Sequence, residues 1–292
     1  MPVMKKSEAK SIFGRGLQLS NGIVVYMYGD VNCSTDDQTL IVQEFGNTFD
    51  AEQLCYMALE KLKITPLVAP LFALAHLSLE SWCPPNDKIP CSTNCTHQFV
   101  LRVRFIPPES MIVELPRIDS KIFDYLFQQI RSDFINDRIV YRDSSIGQEH
   151  LLGLGVIDMV RYGKQHDINL AGLRNLNPHD FIPASAKNKF RYFFYKQRLR
   201  LNFKPHLEKQ HKQYETDTVV NTQLTYIKSI ADYAEHYGME TFRITSSCSG
   251  SEATIAHVKP YDNRYPGLNI YQGKVTWIVL HICLLRYIFA LA

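Results

Sequence analysis

The segment DSKIFDYLFQQIRSDF, Asp119–Phe134, marks a change in the hydrophobic pattern of the chain. Its large apolar residues are spaced three or four apart, as on one face of an amphipathic helix. They are Ile122, Phe123, Leu126, Phe127, Ile130 and Phe134. Asp119 and Ser120 are residues that favour the N-cap of a helix. From about Leu115 onward, the sequence therefore predicts helices.

Three further helices are predicted downstream. They span about Gln148–Gln165, Ala184–Gln213 and Thr218–Tyr237, and Gly238 would be the C′ glycine of the last. The second of these is strongly basic. Together they predict an all-helical domain over 115–238.

Upstream of Leu115 the pattern is typical of strands around one helix. Asn21-Gly22 is a turn pair within a hairpin over 17–30, after an N-terminal tail at 1–16. Asp50 would cap a helix over 51–64. The further strands are predicted at Leu40–Phe45, Phe72–His76 and Phe99–Phe105. Residues 17–114 are therefore predicted to form a β-grasp, ubiquitin-like domain.

After Gly238 the pattern returns to strands, which begin a third domain over 239–274. The strands are predicted at Glu240–Ser246, Thr254–Val258 and Gly267–Tyr271. The last 18 residues, Val275–Ala292, form an apolar tail that would be about 27 Å long as a helix. This tail is interpreted as a membrane anchor, an alternative end, or translated intron following a donor splice site at Lys274-Val275.

Composition excludes several classes of protein. Of the 292 residues, 46% are hydrophobic and 21% charged, which excludes a wholly disordered chain, and the net charge of +3 gives no global nucleic-acid signal. Seven cysteines and a polar, basic N-terminus indicate a reducing, cytoplasmic compartment. Cys91, Cys95 and His97, with Cys83 and His76 nearby, resemble a zinc cluster, but the spacing is incomplete and loop cysteines are favoured.

Motifs for catalysis are missing from the sequence. There is no glycine-rich kinase loop, H-R-D, D-F-G, G-x-S-x-G or H-E-x-x-H. Gly153 and Gly155 come close to a dinucleotide-binding loop, but they lack its third glycine, and close helix–helix approach is the favoured reading. We therefore expect no catalytic residues, no metal and no cofactor.

The densest functional signal is the basic segment, residues 187–212 (KNKFRYFFYKQRLRLNFKPHLEKQHK). It holds nine lysines and arginines against one acid, Glu208, and aromatic residues alternate with them. A solvated helix face is the simple alternative, but so many like charges on one helix favour an acidic partner. The candidate partner-binding residues are Arg191, Lys196, Arg198, Arg200 and Lys204.

Several short motifs, in order, resemble the FERM region of the Janus kinases, the non-receptor tyrosine kinases of cytokine signalling. They are TFDAEQLC (48–55), WCPPN (82–86), LRVRF (101–105), DYLFQ (124–128), RSDF (131–134), LGLGVIDMVR (152–161), FIP (181–183), KQRLRLNF (196–203) and YGMETF (237–242). The resemblance covers about 40–273.

The resemblance implies an α+β protein of several lobes. These would be a ubiquitin-like β-grasp F1, an all-helical, acyl-CoA-binding-protein-like F2 and an incomplete PH-like F3. It further implies a non-catalytic module, cytoplasmic and peripheral at the inner face of membranes, that docks on membrane-proximal cytokine-receptor segments. Anionic phospholipid is a second expected partner, and nucleic acid is not expected.

The sequence departs from the family pattern in two ways. F3 has only its first strands, and the SH2-like, pseudokinase and kinase parts are missing. Two other functions are therefore weighed: a band-4.1-type linker between phosphoinositide membranes and the cytoskeleton, and a fragment of an active tyrosine kinase.

Overall fold

The computed structural model describes residues 21–29, 37–77, 81–104, 106–139, 148–183, 205–234, 237–238, 240–244 and 254–258. These residues form two compact units. The first contains those up to Met111, Arg117–Tyr125, and those from Gly238 onward; the second contains Ile112–Pro116 and those from Leu126 to Tyr237.

Several sequence predictions concern residues outside the described ones. They are the N-terminal tail 1–16, the first hairpin arm 17–20, most of the basic segment, the strand at Gly267–Tyr271 and the tail Val275–Ala292.

The described residues contain eight strands, all in the first unit. They are β1 (Gly22–Tyr26), β2 (Thr39–Val42), β3 (Thr48–Asp50), β4 (Phe72–His76), β5 (Lys88–Pro90), β6 (Thr96–Val103), β7 (Glu240–Ile244) and β8 (Thr254–Val258). Four of them form a sheet in the order β2-β1-β6-β4, in which β1 is parallel to β6 and the other pairs are antiparallel. β3 pairs with β5, and β7 with β8.

The described helices are distributed over both units. They are α1 (Ala51–Leu62), α2 (Glu109–Ile118), α3 (Ser120–Ile135), α4 (Gln148–Gln165), α5 (Leu170–Leu173), α6 (205–213) and α7 (Val219–Tyr233). Short 3-10 helices lie at Pro66–Leu71 and Pro178–Asp180.

The first unit is a β-grasp because one amphipathic helix covers a sheet whose central strand is fully apolar. Ile23, Val24 and Val25 of β1 are all buried. Helix α1 starts where the Gln53 side chain accepts a 3.2 Å hydrogen bond from the Asp50 N–H, and it ends at Lys63, whose φ is 55°. This confirms the predicted capping residue and the ubiquitin-like fold class.

Tyr125 of α3 is the polar anchor of the first unit. Its hydroxyl donates to the Leu101 carbonyl of β6 over 2.7 Å and accepts from the Tyr28 N–H over 3.3 Å. Its ring makes an edge contact with Phe72 of β4, with centroids 5.5 Å apart. Two buried backbone groups are thus satisfied by one side chain, and burial raises the pKa of its hydroxyl well above the ordinary value.

In the second unit, aromatic packing joins α3 to α7. The Tyr226 ring of α7 lies edge-on to Phe127 and Phe134, with centroid distances of 5.4 and 5.9 Å. These two phenylalanines belong to the apolar face predicted from the sequence. Helix α7 also packs against α4, so α3, α4 and α7 share one core.

Several predicted boundaries agree with the structure and others are wrong. Strands β4 and β8 and helix α4 have the predicted limits. Helix α2 was not predicted, since Pro107, Pro108 and Pro116 disguise its short apolar face. Helix α7 ends at Tyr233 with Ala234 as its C-cap, so Gly238, whose φ is +75°, is not its C′ residue. Strand β5 was not predicted either, because Pro84, Pro85 and Pro90 favour a loop in this segment.

The two glycines of α4 have different surroundings. A Cβ on Gly155 would lie 2.8 Å from both the Phe181 carbonyl oxygen and Ile182 Cγ2, whereas a Cβ on Gly153 would meet nothing within 4 Å. Gly155 therefore allows the segment at Phe181 and Ile182, not a second helix, to approach α4. The expectation of helix–helix approach is corrected accordingly. The pair lies within a regular helix, so it is not a dinucleotide-binding loop.

This difference gives a matched pair of substitutions. Gly155→Ala should destabilise the protein by about 1–3 kcal/mol, because backbone must move to admit the methyl group. Gly153→Ala should stabilise it by about 0.5–1 kcal/mol, because alanine is the better helix former. Urea unfolding of the two variants tests this, and equal effects from both would show that the close approach at Gly155 does not exist.

Candidate functional site

The interior of the second unit holds a carboxylate between two arginines. Asp158 of α4 is almost completely buried, and it accepts hydrogen bonds from Arg131 Nε of α3 over 2.5 Å and from Arg161 Nε over 2.8 Å. Arg131 also donates from Nη2 to the Asp180 carbonyl, 3.3 Å away. One acid thus ties α3 to α4, and its partner reaches the 178–180 turn.

The two guanidiniums exceed the single carboxylate by one charge. Aromatic faces offset part of this excess: Arg161 Cζ lies 4.9 Å from the Phe127 ring centroid, and Arg131 Cζ lies 5.8 Å from that of Phe181. Arg161 Nη1 also donates to Gln165 Oε1. Each guanidinium therefore has several partners in this interior.

The electrostatics of Asp158 are dominated by two opposing effects. Burial alone would raise the pKa of its carboxyl, because the charged form loses its hydration. The charges of Arg131 and Arg161 and their hydrogen bonds outweigh burial, so that the pKa lies below its ordinary value. Asp158 is therefore ionised at neutral pH.

A second buried acid, Asp133, fixes the end of α3. Its two oxygens accept from Arg138 Nη1 at 3.2 Å and from the Tyr237 hydroxyl at 2.7 Å. Because Tyr237 follows α7 in the chain, this bond holds the segment after α7 beside α3. Both arrangements are structural: each carboxylate oxygen accepts from a donor, and neither buried acid is exposed as a base or nucleophile.

Helix α6 is the described end of the basic segment, and three kinds of contact hold it in the second unit. Leu207 and Tyr214 are buried. Arg174 Nη2, at the end of α5, forms a 2.6 Å ion pair with Glu208. Lys164 Nζ of α4 donates to the carbonyls of Glu215 and Asp217 at 3.1 and 2.8 Å, just after α6. The end of the basic segment is therefore attached to α4.

A surface depression of about 280 Å³ lies between these elements. Its apolar lining comes from Val160, Ile168 and Leu173, and its polar lining from Lys164, Asp167, Asn169, His211 and Glu215. It has the size and mixed chemistry to take one or two side chains of a bound peptide.

The predicted site residues Arg191, Lys196, Arg198, Arg200 and Lys204 lie outside the described residues, so their role stays a prediction. Sequence reasoning missed the buried network. A signal for it was present: Asp158 interrupts the apolar run Val156-Ile157-Asp158-Met159-Val160, and an acid on such a face requires a buried partner.

The cysteines that resemble a zinc cluster in the sequence differ in burial and in their hydrogen-bond partners. Cys83 and Cys91 are buried, and the Cys91 thiol donates to the Val42 carbonyl at 3.4 Å. Cys95 is exposed, with its sulfur 3.4 Å from His97 Nε2. Among the described residues, no three metal-ligating side chains cluster.

Burial also raises the pKa of two cysteine thiols in the first unit. It raises the pKa of the Cys55 thiol to about 12, with the nearby Cys83 adding to the effect. Burial and the charge of Asp87 raise the pKa of the Cys83 thiol to about 11. Both are therefore protonated, weakly nucleophilic core residues at neutral pH.

Within the described ranges, none of the helices has the length and hydropathy needed to cross a bilayer.

Two family models match the chain side by side. The FERM F1 ubiquitin-like domain matches residues 23–110, and the FERM F2 acyl-CoA binding protein-like domain matches residues 115–235. This chain carries the F1 and F2 domains of a FERM region. The buried Asp158 network, helix α6 and the depression beside it all lie within the F2 match.

Two curated relatives that match this chain are Janus kinases. The chain is 22% identical over 254 residues to tyrosine-protein kinase JAK1 of Danio rerio, an alignment that covers 72% of this chain and 22% of the kinase. It is 29% identical over 127 residues to tyrosine-protein kinase JAK3 of Rattus norvegicus, covering 39% of this chain and 12% of that kinase. The chain thus spans about a fifth or less of these relatives, and both matched domains are FERM domains.

Solved structures share the FERM fold at low identity. The MyTH4-FERM MF2 domain of Dictyostelium discoideum myosin VII aligns with a TM-score of 0.53 and 12% identity over 82% of this chain and 46% of that one. A mutant of the same domain aligns with a TM-score of 0.52 over 82% of this chain and 48% of that one. The likeness confirms the fold class.

The buried network predicts a large loss of stability when Asp158 is neutralised. Asp158→Asn should destabilise the protein by about 3–5 kcal/mol at pH 7, because two buried guanidiniums lose their counter-charge. Glu208→Gln, at an exposed ion pair of the same unit, should cost about 0–1 kcal/mol and is the control. Chemical denaturation measures both.

The sign of the pH dependence follows from the lowered pKa of Asp158. Its contribution to stability is complete above the unfolded pKa of about 3.9, and it is lost as the pH falls through the lower folded pKa. The free energy of unfolding of Asp158→Asn should therefore fall less steeply than that of the wild type as the pH is lowered. A variant that unfolds in acid with the wild-type slope would contradict the assignment.

Proposed function

We propose that this chain is a non-catalytic FERM module that binds the membrane-proximal segment of a cytokine receptor. The similarity to Janus kinases is the observation that carries the proposal, since the matched part of those relatives is FERM sequence. It also favours this function over that of a band-4.1-type linker between membrane and cytoskeleton.

The contact surface in the proposal is the basic segment, through Arg191, Lys196, Arg198, Arg200 and Lys204. Arginine forms paired hydrogen bonds to carboxylates, whereas lysine adds a less directional charge. A receptor segment that carries acidic residues beside the membrane suits both. The anchoring of α6 by Lys164 and Arg174 supports the proposal, because a fixed end limits the entropy lost on binding.

The depression beside α6 gives the proposed contact an apolar component. Its lining of Val160, Ile168 and Leu173 suits an aliphatic receptor side chain, and a lysine, a histidine and two acids at the same place suit a polar neighbour of that side chain. Charge would then favour encounter, while burial in the depression would slow release.

Charge reversal of two candidate residues tests the proposal. Arg198→Glu with Arg200→Glu should weaken binding of synthetic juxtamembrane peptides from cytokine receptors by more than about tenfold at low salt, and less at high salt. Fluorescence anisotropy measures the affinity, and circular dichroism should show unchanged helicity and melting temperature.

The matched control reverses the same number of charges at the described end of the segment. Lys209→Glu with Lys212→Glu changes two exposed lysines of α6. A smaller, salt-sensitive loss of peptide affinity in this control would show that the two arginines make a specific contact and do not act only through the net charge. If the arginine double variant binds every peptide normally, or unfolds, these arginines do not form the docking site.

A further inference from the structure

Two side chains meet on the buried carboxylate of Asp133, near the end of α3. The Tyr237 hydroxyl donates to its Oδ2 over 2.7 Å, although the two residues are 104 positions apart in the sequence. Arg138 Nη1 donates to its Oδ1 over 3.2 Å, and the Arg138 backbone N–H donates to the Asp133 carbonyl over 2.8 Å. We call these three residues the Tyr237 site. Because one carboxylate holds both side chains, the Tyr237 hydroxyl lies beside the Arg138 guanidinium.

The guanidinium of Arg138 has a donor group to spare. Within the described part of the chain, its Nη2 is buried and has no hydrogen-bond acceptor, and the side chain is 16% exposed. A buried donor without an acceptor is costly, because it has lost its hydrogen bond to water. Guanidinium groups bind phosphate strongly through parallel N–H···O bonds. The Tyr237 site therefore has an unused donor that suits an anionic group attached at the tyrosine.

Tyr237 lies in a connection between two elements. Helix α7 ends at Tyr233 and β7 begins at Glu240, and Tyr237 itself is partly exposed in a turn. By contrast, Tyr226 lies inside α7 and is 1% exposed. Connections open locally at a low free-energy cost, whereas a buried helix face opens only with much of the structure. An enzyme that acts on tyrosine hydroxyls therefore reaches Tyr237 more readily than Tyr226.

We infer that Tyr237 is a site of phosphorylation by a tyrosine kinase. In this reaction the tyrosine oxygen attacks the γ-phosphorus of ATP, the bond from that phosphorus to ADP breaks, and the kinase takes up the hydroxyl proton. The product oxygen has no hydrogen left to donate to Asp133. The new phosphate carries a charge of about −1.5 to −2 at pH 7, so the carboxylate of Asp133 repels it, whereas Arg138 Nη2 is placed to bind it.

Phosphorylation would thus exchange one contact of Tyr237 for another. In the unmodified chain, the hydroxyl attaches the segment after α7 to the buried acid of α3. In the modified chain, the segment would lose Asp133 and keep a bond to Arg138, whose Nη1 still neutralises the acid. This switch is separate from the proposed receptor contact, which uses the basic segment.

Kinase treatment of the full chain tests whether Tyr237 is modified. A broad-specificity tyrosine kinase is selected for its activity, with Mg-ATP, on a synthetic peptide of residues 234–242, so that failure on the folded chain counts against the inference. Mass spectrometry should show that Tyr237 is modified at least about tenfold faster than the buried Tyr226. Equal rates, or an unmodified Tyr237, would overturn the inference.

Two substitutions separate the effect of the new charge from the loss of the hydrogen bond. Tyr237→Phe removes only the hydroxyl, whereas Tyr237→Glu places a second negative charge beside Asp133. Amide hydrogen exchange of residues 234–238 should be at least about fivefold faster in Tyr237→Glu and in the phosphorylated chain than in Tyr237→Phe. Tyr56, an exposed tyrosine of α1, provides the matched control, since Tyr56→Glu and Tyr56→Phe should leave this exchange equal. Equal exchange in the two Tyr237 variants would contradict the switch.

The role of Arg138 is tested by removal of the phosphate. Arg138→Lys keeps a positive charge beside Asp133 and removes the paired donors, so a phosphatase should dephosphorylate this variant at least about threefold faster than the wild type. Circular dichroism verifies folding. If Arg138→Lys loses structure, the phosphorylated wild type is compared with the phosphorylated peptide of residues 234–242, which should lose its phosphate faster. Equal rates in the comparison used would show that Arg138 does not bind the phosphate and would overturn the inference.

Discussion

The charge pairing of Asp158 with Arg131 and Arg161 is the constraint on which the second unit depends. A buried carboxylate is stable only where its lost hydration is replaced, so α3 and α4 must stay in a register that keeps both guanidiniums within reach. Arg131 also donates to the carbonyl of Asp180 and so positions the turn at 178–180. Replacing the acid would disturb helices and turn together.

Helix α4 connects this buried ion-pair network to the surface. Its inner face carries Asp158 and Arg161, and Lys164, one turn further on, binds the carbonyls after α6. The place where the basic segment ends is therefore set by the helix that holds the buried acid. Under the proposal of receptor binding, this fixed end of the basic segment would lower the entropy that is lost when a charged peptide binds.

Sequence periodicity predicted the parts of the fold that bury a simple apolar face. It found α3 through Phe127 and Phe134, α4 with its observed limits, and the cap of α1 at Asp50. It missed β5, since three residues containing Lys88 and Pro90 carry no period. It also missed the partners of Asp158, because a contact between residues 131 and 158 depends on tertiary packing. Two of the motifs that resemble the Janus kinases contain Arg131 and Asp158, but the motifs do not reveal that these residues pair.

The most direct test of this account is the pKa of Asp158 itself, measured in the folded protein by carbon-13 NMR of its side-chain carboxyl during an acid titration. The account predicts a midpoint below the ordinary value of about 3.9, and a rise in that midpoint when Arg131 is replaced by Gln. A midpoint at or above the ordinary value, unmoved by Arg131→Gln, would show that burial rather than the two arginines controls this carboxylate.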